Sequence, residues 1–334
     1  MLAPRSRWLF PTPVAVSPSV LDAGRDLGIG PRVVALLAGR GLTTEDDLRR
    51  FMGDPAGALH DPERLPDAAT FRDRIAGARA RGEKVLVFGD FDADGITGLA
   101  ILTLALRRLG VDVLPYVPSR LEEGHGLSLA AVSAAGAAGA RVIVTVDTGS
   151  SSVDEVGAAN AAGIDVLITD HHRVPATLPA ALAIVNPHRV DATYPDRRLA
   201  GSGVAFTLAR LLLGDAALDL ADLAAIGTVA DLAPVLGENR AIVQLGLECL
   251  RRGPRPGLAA LLAAARINPA EVDLEGLAFG VAPRLNAAGR VGEAFDAARL
   301  LLAEGAAEAT ELAVVLEAAN ATRRDLMKDR KSVV

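Results

Sequence analysis

Between residues 84 and 186 the chain alternates short β-branched runs with alanine-rich stretches, and this alternation limits the possible folds more than any other feature. The runs predict five strands: Val85–Phe88, Val111–Tyr116, Val142–Val146, Val166–Thr169 and Ala183–Asn186. The intervening helices are predicted to begin near Ile96, Leu127 and Val153. Strands that alternate with helices are typical of βαβ units, in which helices cover both faces of a parallel sheet. The predicted fold class is therefore α/β, with a parallel β-sheet that binds ligands at the carboxyl ends of its strands.

The composition agrees with this fold class. Hydrophobic residues make up 50% of the 334 residues, so the chain can bury a sizeable core, whereas aromatic residues make up only 3%. A core of alanine, valine, leucine and isoleucine suits the packed layers of an α/β protein. The 35 basic and 41 acidic residues give a net charge of -6, which does not indicate nucleic-acid binding. It does not exclude such binding either, because bound cations reverse the local charge of an acidic site.

Cysteine usage and the N-terminal segment favour a cytoplasmic protein. The single cysteine, Cys249, has no second cysteine with which to form an internal disulfide or a thiolate zinc site. An apolar N-terminal run follows two arginines but is interrupted by prolines before it reaches signal-peptide length; these residues are Arg5, Arg7, Pro11, Pro13 and Pro18. No later stretch approaches the roughly 20 apolar residues of a membrane span. We therefore expect a protein that is not exported.

Acidic and imidazole side chains follow three of the predicted strands at the points where the strands end. They are Asp90, Asp92 and Asp94 after the first strand, Asp147 after the third, and His171 and His172 after the fourth. Because the carboxyl ends of parallel strands meet at one edge of a sheet, we expect the three clusters to lie together. Each cluster alone has another interpretation: an acidic surface turn, a helix-capping turn residue and a polar loop. Their coincidence at one edge favours a common site.

The side chains in this group predict a site for divalent cations. Closely spaced carboxylates repel one another, and a bound cation removes that cost. Oxygen donors with one or two imidazoles and no sulfur suit Mn²⁺ or Mg²⁺ better than structural zinc. Two cations about 3.5–4 Å apart, bridged by Asp147, would hydrolyse a phosphoester. The candidate ligands are Asp90, Asp92, Asp94, Asp147, His171 and Asp231, the last of which is also interpretable as a turn residue.

Phosphoester hydrolysis also needs donors to the phosphate oxygens. His172 is a candidate to donate to the scissile phosphate or to protonate the leaving group. Two arginines in a predicted turn are candidates for bidentate phosphate contacts, with surface salt bridges as the alternative: Arg284 and Arg290. The backbone amides of the segment GSGVAF, which opens a predicted helix, are a further candidate; the residues are Gly201, Ser202 and Gly203.

The sequence predicts four parts. Residues 1–70 form an irregular appendage with a short helical piece and a second helix capped by Thr43 or Thr44, and residues 71–250 form the α/β domain. Residues 251–306 form a helical extension that contains PRLNAAGR, and residues 307–334 begin a long connecting helix. This last helix has no obvious partner within the sequence, so we expect the chain to be a fragment or a shortened product.

Five segments together resemble the motifs of the DHH phosphoesterase superfamily: GDFDADG, VTVDTGS, LITDHH, GTVADLAP and APRLNAAGR. The resemblance covers nearly the whole chain, and its last segment favours the branch of single-strand-specific 5′ to 3′ DNA exonucleases. It implies metal ligands at Asp92, Asp94, Asp147, His171 and Asp231, with Asp90 a ligand or close to the ligands. It implies that His172 contacts the substrate phosphate and that the nucleotide path is lined by Arg284, Asn286 and Arg290. Direct roles in catalysis are expected for His172, Asp147 and Arg290.

The resemblance implies a hydrolase that releases nucleotides from single-stranded DNA with a 5′ end in repair and recombination, using two Mn²⁺ or Mg²⁺ ions. A single-strand-binding protein and a helicase are the implied protein partners. Members of the family continue into a second, DHH-associated domain that this sequence does not contain, so we expect an intact centre with reduced strand selectivity or activity. Two alternatives stay open: a DHH phosphoesterase that cleaves short oligonucleotides or cyclic dinucleotides, and a non-catalytic module that binds replication or repair partners.

Overall fold

The computed structural model describes Thr12 and residues 14–332, with side chains described as far as Lys328. The chain divides into two compact units, Met1–Leu59 and His60–Val334. Four of the residues on which the signal-peptide argument rests lie outside the described part of the chain: Arg5, Arg7, Pro11 and Pro13. Among the described residues, no helix combines the length and the apolar character that crossing a membrane requires.

Three short helices build the first unit: α1 (Pro18–Asp26), α2 (Pro31–Ala38) and α3 (Glu45–Met52). Helix α1 was not predicted, because proline suggests a break in regular structure. At the first helical position, however, proline is compatible with a helix, and the Ser17 side chain caps this one. Of the two predicted caps, Thr44 caps α3, and its N–H donates in return to Asp47 at 3.1 Å.

A five-stranded parallel sheet forms the centre of the second unit, in the order β2-β1-β3-β4-β5. The strands are β1 (Lys84–Gly89), β2 (Asp112–Tyr116), β3 (Ala140–Val146), β4 (Asp165–Thr169) and β5 (Ala183–Val185). In the register, Leu86 of β1 lies opposite Leu114 of β2 and Ile143 of β3. All five predicted strands are confirmed. Because they run in one direction, the residues that follow them lie along a single edge of the sheet.

One face of the sheet is covered by α6 (Leu129–Ala137) and α7 (Val153–Ala161). Leu86, Phe88 and Ile143 of the central strands are fully buried in the apolar cluster on this face. Alternate strand residues point to opposite faces, so the neighbouring valines of β1 and β3 are left for the other side of the sheet.

The opposite face is covered by α4 (Ala68–Arg81), α5 (Ala93–Arg108) and α8 (Gly201–Leu213). Helix α5 lies so close to the sheet that a Cβ atom at Gly98 would come within 2.5 Å of the Val146 Cγ1 atom. Only glycine permits this approach. With helices on both faces, the predicted fold class is confirmed.

The remainder of the second unit is helical. Its helices are α9 (Ala221–Ala230), α10 (Gly237–Arg252), α11 (Pro256–Ala264), α12 (Ala282–Val291), α13 (Ala294–Leu302) and α14 (Ala306–Ser332). A π-helical segment, Gly276–Val281, runs directly into α12. The C-terminal helical segment predicted from the sequence is therefore present.

Two expectations about this helical segment are wrong. The segment PRLNAAGR forms α12 rather than a turn, because Pro283 lies in the first turn, where proline is tolerated. Helix α14 does have a partner in the chain: it packs against α11, α12 and α13, and it buries Ala309, Leu312 and Leu316.

Candidate metal centre

The aspartates after β1 lie where the strand turns into α5. Asp92 caps the helix, since its Oδ1 accepts hydrogen bonds from the N–H groups of Asp94 and Gly95, both at 3.0 Å. Asp94 lies in the first turn of α5 and reaches across to α8. Its Oδ2 accepts from the Gly201 N–H at 2.6 Å, and its Oδ1 accepts from the Ser202 N–H at 2.9 Å. Both carboxylates are thus fixed by helix N-termini, which favour negative charge.

The contact with α8 bears on the prediction for the segment GSG. The three residues are buried, and two of their amides already bind the carboxylate of Asp94. The N-terminus of α8 does bind an anion, as expected, but that anion is a side chain of this chain. The structure therefore gives the amides of Gly201 and Ser202 a role in holding Asp94, and the phosphate contact of Gly201, Ser202 and Gly203 stays a prediction.

Asp147, directly after β3, lies at the middle of the sheet edge. Its backbone has a φ of 61°, which is uncommon for a residue with a side chain. The Asp147 Oδ1 atom is buried and forms no hydrogen bond with the described residues. His171 Nε2 lies 3.0 Å from this oxygen and 3.7 Å from Asp94 Oδ2. Strain and an unpaired buried oxygen at the same residue indicate a ligand site, because both carry a cost in stability.

Asp170 holds the two histidines after β4. Its Oδ1 accepts hydrogen bonds from the His171 N–H at 2.8 Å, from the His172 N–H at 3.1 Å and from the His172 imidazole Nδ1 at 2.8 Å. Burial opposes ionisation of Asp170, but hydrogen bonds from His172 and Ser150 outweigh it and lower the pKa of Asp170 to about 2. The same hydrogen bond raises the pKa of His172 to about 9. His172 is therefore cationic at neutral pH, which suits a donor to phosphate better than a metal ligand.

Three carboxylates of the centre, those of Asp94, Asp147 and Asp231, resist ionisation. Burial raises the pKa of Asp147 well above its usual range, and the charges of Asp94 and Asp92 raise it further. Burial also raises the pKa of Asp94, against the opposing effect of His171. At the end of α9, burial and the charge of Asp94 raise the pKa of Asp231 to about 6. A bound cation would reverse each of these shifts, because it favours the ionised carboxylates.

The described residues bring possible ligand atoms into two overlapping groups, each with its atoms within 4.8 Å of one another. The first contains Asp147, His171 and His172, and the second contains Asp94, His171 and Asp231. These carboxylate oxygens and the shared imidazole are the donors that Mn²⁺ and Mg²⁺ accept in proteins. Together with the unpaired Asp147 Oδ1, this donor set fits the predicted cations.

Asp90 and Asp92 belong to neither group. Asp90 Oδ1 accepts from the Phe91 N–H at 2.7 Å, and its Oδ2 lies 3.1 Å from Nδ1 of His125 in the loop after β2. Asp92 does affect the centre, because its charge helps to raise the pKa values of both Asp94 and Asp147. The structure thus places Asp92 beside the candidate ligands and directs Asp90 towards the loop.

Helix α12 brings one of its predicted residues to the centre. Asn286 Oδ1 accepts from the Ala93 N–H at 2.8 Å, so it supports the first turn of α5 beside Asp92 and Asp94. Arg290 lies four residues further along the helix and lines a cavity of about 690 Å³. The cavity is enclosed by residues 115–123 and 289–295.

Arg284 is not brought to the centre. It is buried, and its guanidinium donates to Glu317 of α14 at 2.5 Å and to the Gly280 carbonyl at 2.6 Å. These contacts tie α12 to α14 and engage the donors that a phosphate would need. The predicted phosphate role of Arg284 stays a prediction, and the contacts that the structure shows are structural.

Sequence reasoning missed residues in the loop after β5. Asn186 is fully buried beneath the two histidines, and His188 follows it in the same turn. Burial lowers the pKa of His188, and the electrostatic effects of His171 and Arg197 act in the same direction. The signal was available, because Asn186 ends the fifth predicted strand and His188 follows two residues later, so the strand-end rule applies to both. His125, which contacts Asp90, is 35 residues distant in sequence and had no such signal.

Comparison with known proteins agrees with the fold. The DHH family, N-terminal domain, matches residues 84–228. The chain is 40% identical over 327 residues to the single-stranded-DNA-specific exonuclease RecJ of Bacillus subtilis, and the match covers 98% of this chain and 41% of that protein. It is also 40% identical over 313 residues to RecJ of Escherichia coli, covering 89% of this chain and 54% of the relative.

Comparison with solved structures also finds RecJ proteins. The crystal structure of exonuclease RecJ bound to manganese matches with a TM-score of 0.74 and 38% identity, covering 82% of this chain and 69% of that one. RecJ from Thermus thermophilus in complex with Mn²⁺ matches with a TM-score of 0.79 and 34% identity, covering 95% and 46%. The chain spans about half the length of the curated relatives. On the shared sequence and structure, the chain belongs to the RecJ family of DHH proteins.

Proposed function

We propose that this chain carries the metal-dependent phosphodiesterase centre of a RecJ-type exonuclease, which releases nucleotides from single-stranded DNA with a 5′ end. The observation that carries the proposal is the buried, unpaired Oδ1 of Asp147, which faces His171 Nε2 at 3.0 Å within a group of carboxylates. The relatives support the substrate, since they are named as single-stranded-DNA-specific exonucleases. Related RecJ structures contain Mn²⁺ or Mg²⁺, which supports these ions as the cofactors.

The residues of the chain divide the work at this centre. Asp94, Asp147, His171 and Asp231 would hold the cations, with Asp92 beside them. Two bound divalent cations supply a nucleophile near neutral pH and offset the negative charge that develops on the phosphate oxygens. The imidazole of His172, held by Asp170 at 2.8 Å, would donate to the scissile phosphate or protonate the leaving oxygen.

The cavity beside α12 supports a nucleotide path that leads to the centre. Its volume of about 690 Å³ lies in the range of pockets that hold small ligands. Arg290 lines this cavity and supplies a guanidinium suited to a phosphate. Asn286, four residues before Arg290 on the same helix, accepts a hydrogen bond from the Ala93 N–H in the first turn of α5. We infer that these two residues, more than Arg284, guide the nucleotide.

Several finer predictions extend this function. Roles in repair and recombination, a cytoplasmic location, and contacts with a single-strand-binding protein and a helicase rest on the sequence resemblance and the cysteine content. The division into an appendage, an α/β domain, a helical extension and a connecting helix is likewise proposed. These predictions draw on the full length of the curated relatives, and the chain spans about half of that length.

A Mn²⁺-dependent hydrolysis assay on four substrates tests the proposal: 5′-labelled single strands, duplex DNA, dinucleotides and pyrophosphate. We expect release of single nucleotides from the single strands and much slower release from the duplex. Turnover of dinucleotides alone would contradict the RecJ-type reaction and favour a small-substrate phosphoesterase. Binding of single strands without hydrolysis at saturating Mn²⁺ would favour a binding module.

The variant Asp147→Asn tests the centre itself. It removes one charge from the central ligand while it keeps the size of the side chain, so we expect hydrolysis to fall to background. The matched control is Asp112→Asn at the opposite end of the sheet, where the aspartate is exposed and pairs with Lys84 at 3.6 Å. This control should keep wild-type activity. Equal activity in the two variants would overturn the assignment of Asp147.

A further inference from the structure

Asn186 is a fully buried side chain that the proposed chemistry does not use. Its amide Nδ2 donates to Ser150 Oγ at 3.1 Å and to the His172 carbonyl oxygen at 3.0 Å. Its Oδ1 accepts from the His188 N–H at 2.8 Å. Both N–H groups and the oxygen of the amide are therefore in use. Few single side chains can satisfy three partners at once, so the position of this one is strongly determined.

The three partners of Asn186 lie on three different loops of the sheet edge. Ser150 follows β3, His172 follows β4 and His188 follows β5. A single buried amide thus ties together the ends of three neighbouring strands. Because Asp147 lies only three residues before Ser150, the same contact links the loop of the central carboxylate to the loop of the histidines.

Asp170 acts on the same two loops from the other side. Its Oδ2 accepts from the Ser150 N–H at 3.1 Å, while its Oδ1 binds the backbone and imidazole of His172. The His171–His172 segment is therefore held at its start by Asp170 and at its end by Asn186. This double attachment leaves His171 Nε2 at 3.0 Å and His172 Nδ1 at 3.8 Å from Asp147 Oδ1.

We propose that Asn186 is a positioning residue for the centre: through the His172 carbonyl and Ser150, it sets where the two histidines lie relative to Asp147. The inference rests on the proposed function, in which His171 binds a cation and His172 contacts phosphate. Outer contacts of this kind orient metal-binding histidines, and their loss reduces metal affinity or activity by about 10- to 100-fold.

The test compares Asn186→Ala with the wild-type chain in two measurements. In Mn²⁺ titration followed by calorimetry, we expect the dissociation constant to rise by about 10- to 100-fold. In hydrolysis of single strands at saturating Mn²⁺, we expect kcat to fall and KM to change little, because the substrate path beside α12 is untouched. Wild-type values of both the Mn²⁺ affinity and kcat in the variant would overturn the proposal.

Two further variants separate positioning from simple loss of packing. Asn186→Asp keeps the size of the side chain and the acceptor for the His188 N–H, but it lacks the amide donors. Its extra negative charge would by itself favour a cation, so weaker Mn²⁺ binding in a variant that unfolds at the wild-type temperature would indicate lost positioning. Ser150→Ala removes one of the two acceptors and leaves the contact with His172 in place, so its Mn²⁺ affinity should fall by less than that of Asn186→Ala. A loss as large as that of Asn186→Ala would overturn the route through His172.

Asn160→Ala is the control for loss of an asparagine hydrogen bond elsewhere in the fold. Asn160 Nδ2 donates to the Ala180 carbonyl at 2.9 Å, at an exposed position on α7. We expect wild-type Mn²⁺ affinity and kcat in this variant. If the wild-type chain itself neither bound Mn²⁺ nor hydrolysed DNA, the proposed function would fail and this inference with it. A working wild type with an unaffected Asn186→Ala variant would remove the inference alone.

Discussion

Glu83 at the amino end of the parallel sheet and two aspartates at its carboxyl end, Asp94 and Asp147, lie in opposite electrostatic environments. At the amino end, Arg74 of α4 donates to Glu83 at 2.7 Å and to Asp165 at 2.6 Å. Arg81 also donates to Glu83, and these hydrogen bonds lower the pKa of Glu83. At the carboxyl end, the aspartates contact histidines and backbone amides, and the pKa values of Asp94 and Asp147 are raised.

This difference separates acids that stabilise the fold from acids that prepare a site. A carboxylate paired with arginine favours the folded state, because ionisation is easier there than in the unfolded chain. A buried carboxylate whose pKa is raised in the folded state destabilises that state at neutral pH, because ionisation is harder there than in the unfolded chain. Asp94 and Asp147 at the carboxyl end carry this destabilisation, and a bound cation would remove it.

Metal binding should therefore act on one end of the sheet alone, and this is the largest effect we expect. Mn²⁺ at 100 times its dissociation constant should raise the free energy of unfolding by about 2.7 kcal/mol. Asp147→Asn should abolish this increase, whereas Asp165→Asn at the amino end should keep it. Urea unfolding of the three proteins with and without Mn²⁺ measures the effect.

Urea unfolding of the same three proteins without metal tests whether the Asp147 carboxylate destabilises the fold. Asp147→Asn should then be at least as stable as the wild type, because it removes a carboxylate that resists ionisation. Asp165→Asn should be less stable, because it loses the contact with Arg74. If Asp147→Asn were the less stable variant without metal, the raised pKa of Asp147 would not be a cost to the fold.

Close packing at the carboxyl end gives a second, smaller effect. A Cβ atom at Gly201 would lie 2.7 Å from Asp147 Oδ1, so Gly201→Ala should destabilise the chain by about 1–3 kcal/mol and weaken Mn²⁺ binding. Gly203→Ala is the matched control on the same helix, since its Cβ atom would lie no closer than 3.4 Å to the Leu199 side chain. Thermal unfolding and Mn²⁺ titration of both variants should show a loss for Gly201→Ala alone.

The sequence predicted the sheet and much of the centre, because both follow local rules. Strand periodicity located all five strands, and the strand-end rule placed Asp94, Asp147 and His171 on one edge. Asp231 was harder to place, because it ends a helix rather than a strand and only the resemblance favoured it. Contacts between side chains distant in sequence were the limit of this reasoning.

The PRLNAAGR and GSG interpretations both missed a long-range contact. Proline, glycine and asparagine in PRLNAAGR suggested a turn, yet tertiary packing against α14 holds the segment as a helix, and Arg284 is part of that packing. The GSG amides suggested a phosphate site, but the Gly201 amide donates to the carboxylate of Asp94, which is 107 residues away in sequence. In this second case the sequence indicated an anion at the helix N-terminus but not that Asp94 supplies one, because long-range contacts leave no local pattern.

The smallest expected effect lies at the amino end and depends on pH. The pKa of Glu83 is lowered in the folded chain, first by the hydrogen bond from Arg81 and then by that from Arg74. The stabilisation is therefore present above the unfolded pKa of about 4.3 and is lost as the pH falls through the folded pKa. Glu83→Gln should lower the free energy of unfolding by up to about 1 kcal/mol at pH 7.

The difference between Glu83→Gln and the wild type should shrink as the pH is lowered from 7 towards 3, because the wild-type carboxylate then takes up a proton and loses its charge. Urea unfolding at these two pH values, without metal, measures the difference. A gap that stayed constant with pH would mean that Glu83 acts through its packing rather than its charge. The two ends of the sheet would then differ in geometry alone, and the electrostatic contrast between them would rest on the carboxyl end only.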